Sequence, residues 1–135
     1  MEIITAYNTD AGLVKSMNQD SLSVKVVNSP HGKIVFALVC DGMGGLEHGE
    51  LASKETILAM NRWFTGPFAG LVAEDHVTEN IIYEQWKEEV TQVNERLLVY
   101  AEAQGISMGT TLTALLLYRG HYYFCHVGDS RIYKV

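Results

Sequence analysis

The sequence predicts an α+β domain, on three observations. Segments rich in Val, Ile and Thr open and close the chain, two amphipathic helical patterns occupy its middle, and the breaks between neighbouring strand-like segments are short enough for hairpins. At 135 residues with 47% hydrophobic content, the chain has the size and composition of one ordinary globular domain.

Residues 3–9, 21–27 and 33–40 read as strands, separated by Asp10-Ala11-Gly12 and by Asn28-Ser29-Pro30-His31-Gly32; the second break suits a hairpin. Leu22, Val24 and Val26 alternate with Ser21, Ser23 and Lys25, the pattern of a strand with one wet face. Residues 34–40 are apolar throughout, which predicts a central strand buried on both sides. From about residue 49 to 65, Leu51, Ile57, Leu58, Met60, Trp63 and Phe64 recur at helical spacing, and Gly66-Pro67 is the expected stop. A longer helix is predicted from Thr78, an N-cap residue, to Gly105, with Ile82, Trp86, Val90, Val93, Leu97 and Tyr100 on one stripe. Residues 112–118 and 121–127 are strand-like again, with Arg119-Gly120 as a tight turn between them, and residues 131–135 begin a further strand.

Charge and cysteine content exclude several classes. Ten Lys and Arg against sixteen Asp and Glu give a net charge of −6, which offers no basic surface for nucleic acid. The longest apolar run, residues 34–40, is far short of the roughly 20 residues a membrane-spanning helix needs, so no membrane partner is expected. No secretory leader is recognisable, making the cytoplasm the expected compartment. Cys40 and Cys125 stand alone in apolar segments and are read as buried, reduced thiols.

Three aspartates carry the candidate chemistry. Asp41-Gly42-Met43-Gly44-Gly45 follows the apolar strand; there a carboxylate and backbone carbonyls can converge on a hard cation, or backbone amides can cradle a phosphate. A nucleotide-binding P-loop is excluded because no Gly-Lys-Ser or Gly-Lys-Thr follows, and a glycine-rich strand-to-helix turn is the plainer alternative. Asp20 lies in Asn18-Gln19-Asp20-Ser21 and Asp129 in His126-Val127-Gly128-Asp129-Ser130-Arg131. Each alone reads as a turn aspartate; at one sheet rim, their oxygens favour Mg²⁺ or Mn²⁺, since no His and Cys cluster competes. His48 is read as a solvated residue at the start of the first helix, and Trp63, Trp86, Tyr122, Tyr123 and Phe124 as core or sheet packing.

Together these motifs resemble the metal-dependent protein phosphatases of the PPM, or type 2C, class in their bacterial style. The matching residues are Thr9-Asp10-Ala11-Gly12 with Asn18-Gln19-Asp20-Ser21, then Asp41-Gly42-Met43-Gly44-Gly45 with Gly49-Glu50 and Ala52-Ser53. Met108-Gly109-Thr110-Thr111 and Val127-Gly128-Asp129-Ser130-Arg131-Ile132-Tyr133 follow in the same order. Four ordered motifs over nearly the whole chain are far more specific than any one of them.

The resemblance implies a layered α-β-β-α sandwich of antiparallel sheets flanked by helices, of which residues 1–135 are the N-terminal part of one domain. It implies a dinuclear Mg²⁺ or Mn²⁺ site with a third, weaker metal position. Asp41 would be the bridging ligand, Gly42 would offer its carbonyl, Asp20 would act through water and Asp129 would serve the third position, with Asp41 and Asp20 the catalytic pair. The implied reaction is hydrolysis of a phosphoserine or phosphothreonine ester in a protein substrate by a metal-activated water. Lys15 stands where the family places a phosphate-gripping arginine, and a lysine offers a point charge rather than a bidentate fork. Gln19 stands where an acidic residue is usual, and Met43 where some members carry a histidine. The later Asp-Gly and Asp-Asn motifs that complete the metal shell are absent. A truncated chain, inactive alone and self-associating as a homodimer through exposed sheet edges, is therefore expected. The alternative is a non-catalytic regulatory or binding module derived from the same fold.

Overall fold

The computed structural model describes residues 20–44 and 48–128. The expected strands at residues 3–9 and 131–135, Lys15, Gln19 and Asp129 lie outside the described residues. Within them the chain runs β1 (Asp20–Ser29), β2 (Gly32–Gly44), α1 (His48–Thr65), α2 (Pro67–Ala73), α3 (Glu79–Gln104), β3 (Met108–Thr110), β4 (Leu112–Tyr118) and β5 (His121–Val127). This is the α+β order expected, with a wholly antiparallel sheet ordered β1-β2-β4-β5 and β3 paired to the far end of β2.

Both hairpins form where the turn residues place them. Ser29 pairs with Gly32, leaving Pro30-His31 as the loop, and Tyr118 pairs with His121 across Arg119-Gly120. The second loop holds both its residues at positive φ, 52° at Arg119 and 77° at Gly120, as a tight two-residue turn between right-twisted strands demands. The β2 strand sits between β1 and β4, so the expectation of a central strand holds.

All three helices cover one face of the sheet, and the core lies between the two layers. Phe36 of β2 stacks on Phe64 of α1 with ring centroids 4.9 Å apart and packs on Trp63 at 5.5 Å and on Trp86 of α3 at 6.2 Å. Trp63 meets Trp86 edge-on at 5.6 Å, and its Nε1 donates to Gln85 Oε1 at 2.7 Å, tying α1 to α3. Edge-to-face and offset aromatic pairs of this kind add to the hydrophobic gain of burial. Thr78 caps α3 by accepting from the Ile81 amide, and Gly105, at φ 66°, closes it in the left-handed conformation.

Four differences from the sequence reading have clear causes. Gly66-Pro67 ends α1 after Thr65 as expected, but a short helix that the sequence pattern did not show, α2, starts at once, with Pro67 at its first position, where its missing amide costs nothing. The second is that β2 is buried on both sides only in part. Ile34, Phe36, Leu38 and Cys40 lie under the helices, and on the other face Val35 is buried whereas Val39 is 47% exposed, because the described residues place no layer over that end of the face. Third, the faces of β1 are reversed. Its serines point to the helices, Ser21 Oγ lying 2.8 Å from Ser53 Oγ and Ser23 Oγ accepting from Asn61 Nδ2 at 3.1 Å. Leu22, Val24 and Val26 share the uncovered face with Val39, since hydroxyl partners on α1 satisfy the polar side. Fourth, Tyr122 at 71% and Phe124 at 51% exposure belong to that open face rather than to the core, while Tyr123, Trp63 and Trp86 are buried as expected. Cys40 is fully buried and Cys125 half-buried, both as free thiols.

Candidate metal and phosphate site

The site is built where β2 runs past its buried segment. The strand continues through Asp41-Gly42-Met43-Gly44 instead of turning, because the short β3, which the sequence pattern did not reveal, pairs with it: Gly42 with Thr110, Met43 with Gly109 and Gly44 with Met108. Gly44 is required there for space and for its backbone conformation. Gly44 sits at φ 144°, and a Cβ on it would lie 3.0 Å from His48 Cβ and 3.1 Å from the Ser107 carbonyl oxygen. This close approach brings the start of α1, at His48, directly behind the strand end.

Asp41 is exposed, on the same face of β2 as Val39, while Gly42 beside it is buried. The register of the first hairpin pairs Asp41 with Asp20 across β1 and β2. Directly opposed residues of an antiparallel pair have Cα atoms about 4.5–5.5 Å apart, so two of the three predicted aspartates stand at neighbouring backbone positions on one rim. Asp20 belongs to β1, and its placement rests on this backbone register.

Asp41 is held from the other side by Thr111. The Asp41 amide donates to Thr111 Oγ1 at 2.9 Å, and the Thr111 amide donates to the Asp41 carbonyl at 3.0 Å. Thr110 Oγ1 in turn donates to the Thr111 carbonyl at 2.8 Å. Both backbone polar groups of Asp41 are therefore engaged, which fixes the direction in which its side chain leaves the strand. This gives the Met108-Gly109-Thr110-Thr111 motif a role that its sequence alone does not show, the two adjacent hydroxyls after a glycine being the available signal. Beneath Asp41, burial pushes the Cys40 thiol up to about 12, partly offset by a hydrogen bond with Thr110. That thiol is a packing group, not a ligand. The helix that follows contributes Ser53, fully buried, whose hydroxyl reaches Ser21 of β1 and donates to the Glu50 carbonyl at 3.1 Å.

The donors suit a hard cation. An exposed carboxylate, adjacent backbone carbonyls and, among the described residues, no histidine or cysteine cluster beside them are the chemistry of Mg²⁺ or Mn²⁺ coordination. The described residues contain no group of three His, Cys, Asp or Glu side chains able to hold a metal, so they supply one part of a shell. His48 lies at the start of α1, half-buried, and His126 hydrogen-bonds to Thr113 Oγ1 at 2.9 Å, occupied in the sheet. No helix among the described residues is long and apolar enough to cross a membrane.

Comparison with known proteins follows the same line. Residues 13–135 match the family described as protein phosphatase 2C. The serine/threonine phosphatase stp of Listeria welshimeri is 32% identical over 130 residues, covering 94% of this chain and 48% of that protein. The serine/threonine protein phosphatase PstP of Mycobacterium tuberculosis is 31% identical over 130 residues, covering 95% of this chain and 22% of that protein. The chain thus spans about half the length of the Listeria relative and less of the longer one. Among solved structures, the catalytic domain of PstP in complex with two manganese ions superposes with a TM-score of 0.65 at 29% identity, covering 90% of this chain and 46% of that one.

Proposed function

Since the chain belongs to the protein phosphatase 2C family, we propose that it forms the Asp41 side of a metal-dependent phosphatase centre acting on phosphoserine and phosphothreonine in proteins. The observation that carries this reading is the Asp20–Asp41 pairing at the rim of the sheet, with Asp41 clamped through both backbone groups by Thr111. Asp41 and the Gly42 carbonyl would hold the metal pair, Asp20 would act through water, and Asp129 would serve a third, weaker position. Bound Mg²⁺ or Mn²⁺ would supply charge neutralisation of the phosphoryl group and acidification of water. The chain's own residues do the rest. Thr111 and Thr110 hold Asp41 in one orientation, Gly44 lets the start of α1 approach the strand end closely, and Lys15 attracts the substrate phosphate as a point charge.

The same ligand count limits these 135 residues. One bridging carboxylate, one carbonyl, a water-mediated Asp20 and Asp129 fall well short of roughly six oxygens per ion with several carboxylates. The chain by itself binds the metals weakly and turns over no phosphoester, and the apolar sheet face that the described residues leave uncovered favours association into a homodimer.

Calorimetric titration of Mn²⁺ into the chain, beside its Asp41→Asn variant, tests the assignment. Weak binding that disappears in the variant supports it, and in the full-length protein the same substitution abolishes Mn²⁺-dependent hydrolysis of an aryl phosphate. Unchanged Mn²⁺ affinity in Asp41→Asn, with the fold intact by circular dichroism, removes Asp41 as the ligand.

A further inference from the structure

Asp20-Ser21 and Ala52-Ser53, two motifs far apart in the sequence, meet on the helix-covered side of the sheet, behind Asp41. Asp20 opens β1 and stands opposite Asp41 at the end of the first hairpin farthest from its Pro30-His31 loop. Among the described residues β1 pairs with β2 alone. The ends of strands open more readily than their middles, so a rim built on the last pair of a ladder is held only as well as the contacts beside it allow. Asp41 has the Thr111 clamp. On the side of Asp20, the next residue in the chain, Ser21, supplies a tie to α1.

The tie is anchored in the helix. Ser21 Oγ lies 2.8 Å from Ser53 Oγ. Ser53 is fully buried, and its hydroxyl also donates to the Glu50 carbonyl one turn back at 3.1 Å, so α1 rather than β1 sets where that hydroxyl stands. The helix is in turn seated on the end of β2, because Gly44, lacking a Cβ, lets His48 come up against the strand. Gly49 and Ala52 are buried in the same first turns of α1, and residues this small let a helix lie close on a sheet. The elements β1, β2 and α1 therefore form a closed frame. Asp20 and Asp41 are related through it twice, once by the hairpin register and once by way of Ser53. A second bond joins α1 to β1 further along, where Asn61 Nδ2 donates to Ser23 Oγ at 3.1 Å. Of the two, the Ser21–Ser53 contact lies next to the rim.

We propose that Ser53 is a positioning residue for the candidate metal site, its hydroxyl holding the start of β1 through Ser21 so that Asp20 stays opposite Asp41. The inference rests on the reading of Asp41 and Asp20 as the groups that hold the metal pair, and it adds the device that keeps them together. A donor on a strand end that opens must be ordered again whenever an ion binds, and that ordering lowers affinity. A hydrogen bond made on folding removes the cost beforehand, which is why groups behind the ligands of a metal site affect its affinity without touching the ion. The burial of Ser53 suits it to this role, since water does not compete for its hydroxyl.

Titration of Mn²⁺ into the whole chain, followed by water-proton relaxation so that weak binding is read directly, tests the role. Ser53→Ala and Ser21→Ala each lower Mn²⁺ affinity by about tenfold, and Ser21→Thr, which keeps the hydroxyl, retains the affinity of the unmodified chain. Ser23→Ala removes the bond to Asn61 between the same two elements; it lowers the melting temperature as Ser53→Ala does and leaves Mn²⁺ affinity as it was. Relative to Ser23→Ala, Ser53→Ala quickens amide hydrogen exchange at residues 20–22 and not at Asp41, whose amide stays on Thr111. Equal losses of affinity in Ser53→Ala and Ser23→Ala, a loss in Ser21→Thr as large as in Ser21→Ala, or quickened exchange at Asp41 in place of residues 20–22 overturns the proposal. Unchanged affinity in both Ser53→Ala and Ser21→Ala, with binding still lost in Asp41→Asn, overturns it too and leaves the phosphatase reading standing. Unchanged affinity in Asp41→Asn removes that reading, and the role of Ser53 with it.

Discussion

Thr111 gives Asp41 both a hydroxyl acceptor for its amide and a donor for its carbonyl, so the aspartate depends on a residue seventy positions further along the chain. Thr111→Val removes the acceptor and costs about 1 kcal/mol of stability. Calorimetry of Mn²⁺ binding in this variant gives a lower affinity, and Thr111→Ser, which keeps the hydroxyl, restores it. A purely structural role would lower the melting temperature without changing affinity. Cys40 makes a pH prediction. Its folded thiol is raised to about 12 by burial, so it stays neutral while the unfolded chain's thiol ionises near its ordinary value of 9.0. The unfolded state therefore binds fewer protons above that pH, and stability falls as pH rises from about 9 towards 12. Urea unfolding of the wild type and of Cys40→Ala, compared over that range, shows the wild-type decline to be steeper. Cys40 also resists alkylation at pH 8 until the protein unfolds, because the thiolate is the nucleophile.

Elements were legible in the sequence where one local rule governed them. The α3 helix is an example: Thr78 and Gly105 mark its ends, and Ile82, Trp86, Val90, Val93 and Leu97 of the expected stripe are buried, while Tyr100, expected on the same stripe, is 42% exposed and Ala101 takes the buried place beside it. The hairpins were equally readable from Pro30-His31 and Arg119-Gly120. What the pattern missed depends on partners distant in sequence. Three residues of β3 have no periodicity of their own and become a strand only because β2 extends beside them. The serine side of β1 resembles a solvent face until α1 supplies Ser53 and Asn61 to meet it. For the site, Asp41 and Gly42 could be read from their glycine-rich context, but the pairing with Asp20 required the hairpin register, and the Thr111 clamp required the fold. The helical layer rests on the aromatic cluster around Trp63. Trp63→Ala removes the contacts with Phe36, Phe68 and Trp86 and the bond to Gln85, destabilising the chain by about 3–5 kcal/mol in denaturant unfolding. Trp63→Phe loses less, keeping the ring contacts and giving up the indole donor.

At the scale of the molecule, the sheet is packed on one side only by what the described residues provide. Val26, Val39, Tyr122 and Phe124 present apolar surface together on the other side, a patch of the kind that marks an interface. Light scattering of the chain across a concentration series gives a mass rising towards that of a dimer, and Tyr122→Lys with Phe124→Lys on this face returns it to a monomer. A concentration-independent monomer for the unmodified chain would remove the association. The order of elements has a further consequence, for how the chain folds. Each hairpin, β1 with β2 and β4 with β5, closes over a two-residue loop, and α3 nucleates from its own caps, so these units can form early and independently. The pairing of β2 with β4 instead joins Val39 to Thr113 and Val35 to Leu117, with all three helices inside the closed loop. Loop-closure entropy and the correlation of folding rate with contact order both assign the barrier to that step. On this order the Asp20–Asp41 pair comes with the first hairpin, and the Thr111 clamp on Asp41 is added only when the half-sheets meet.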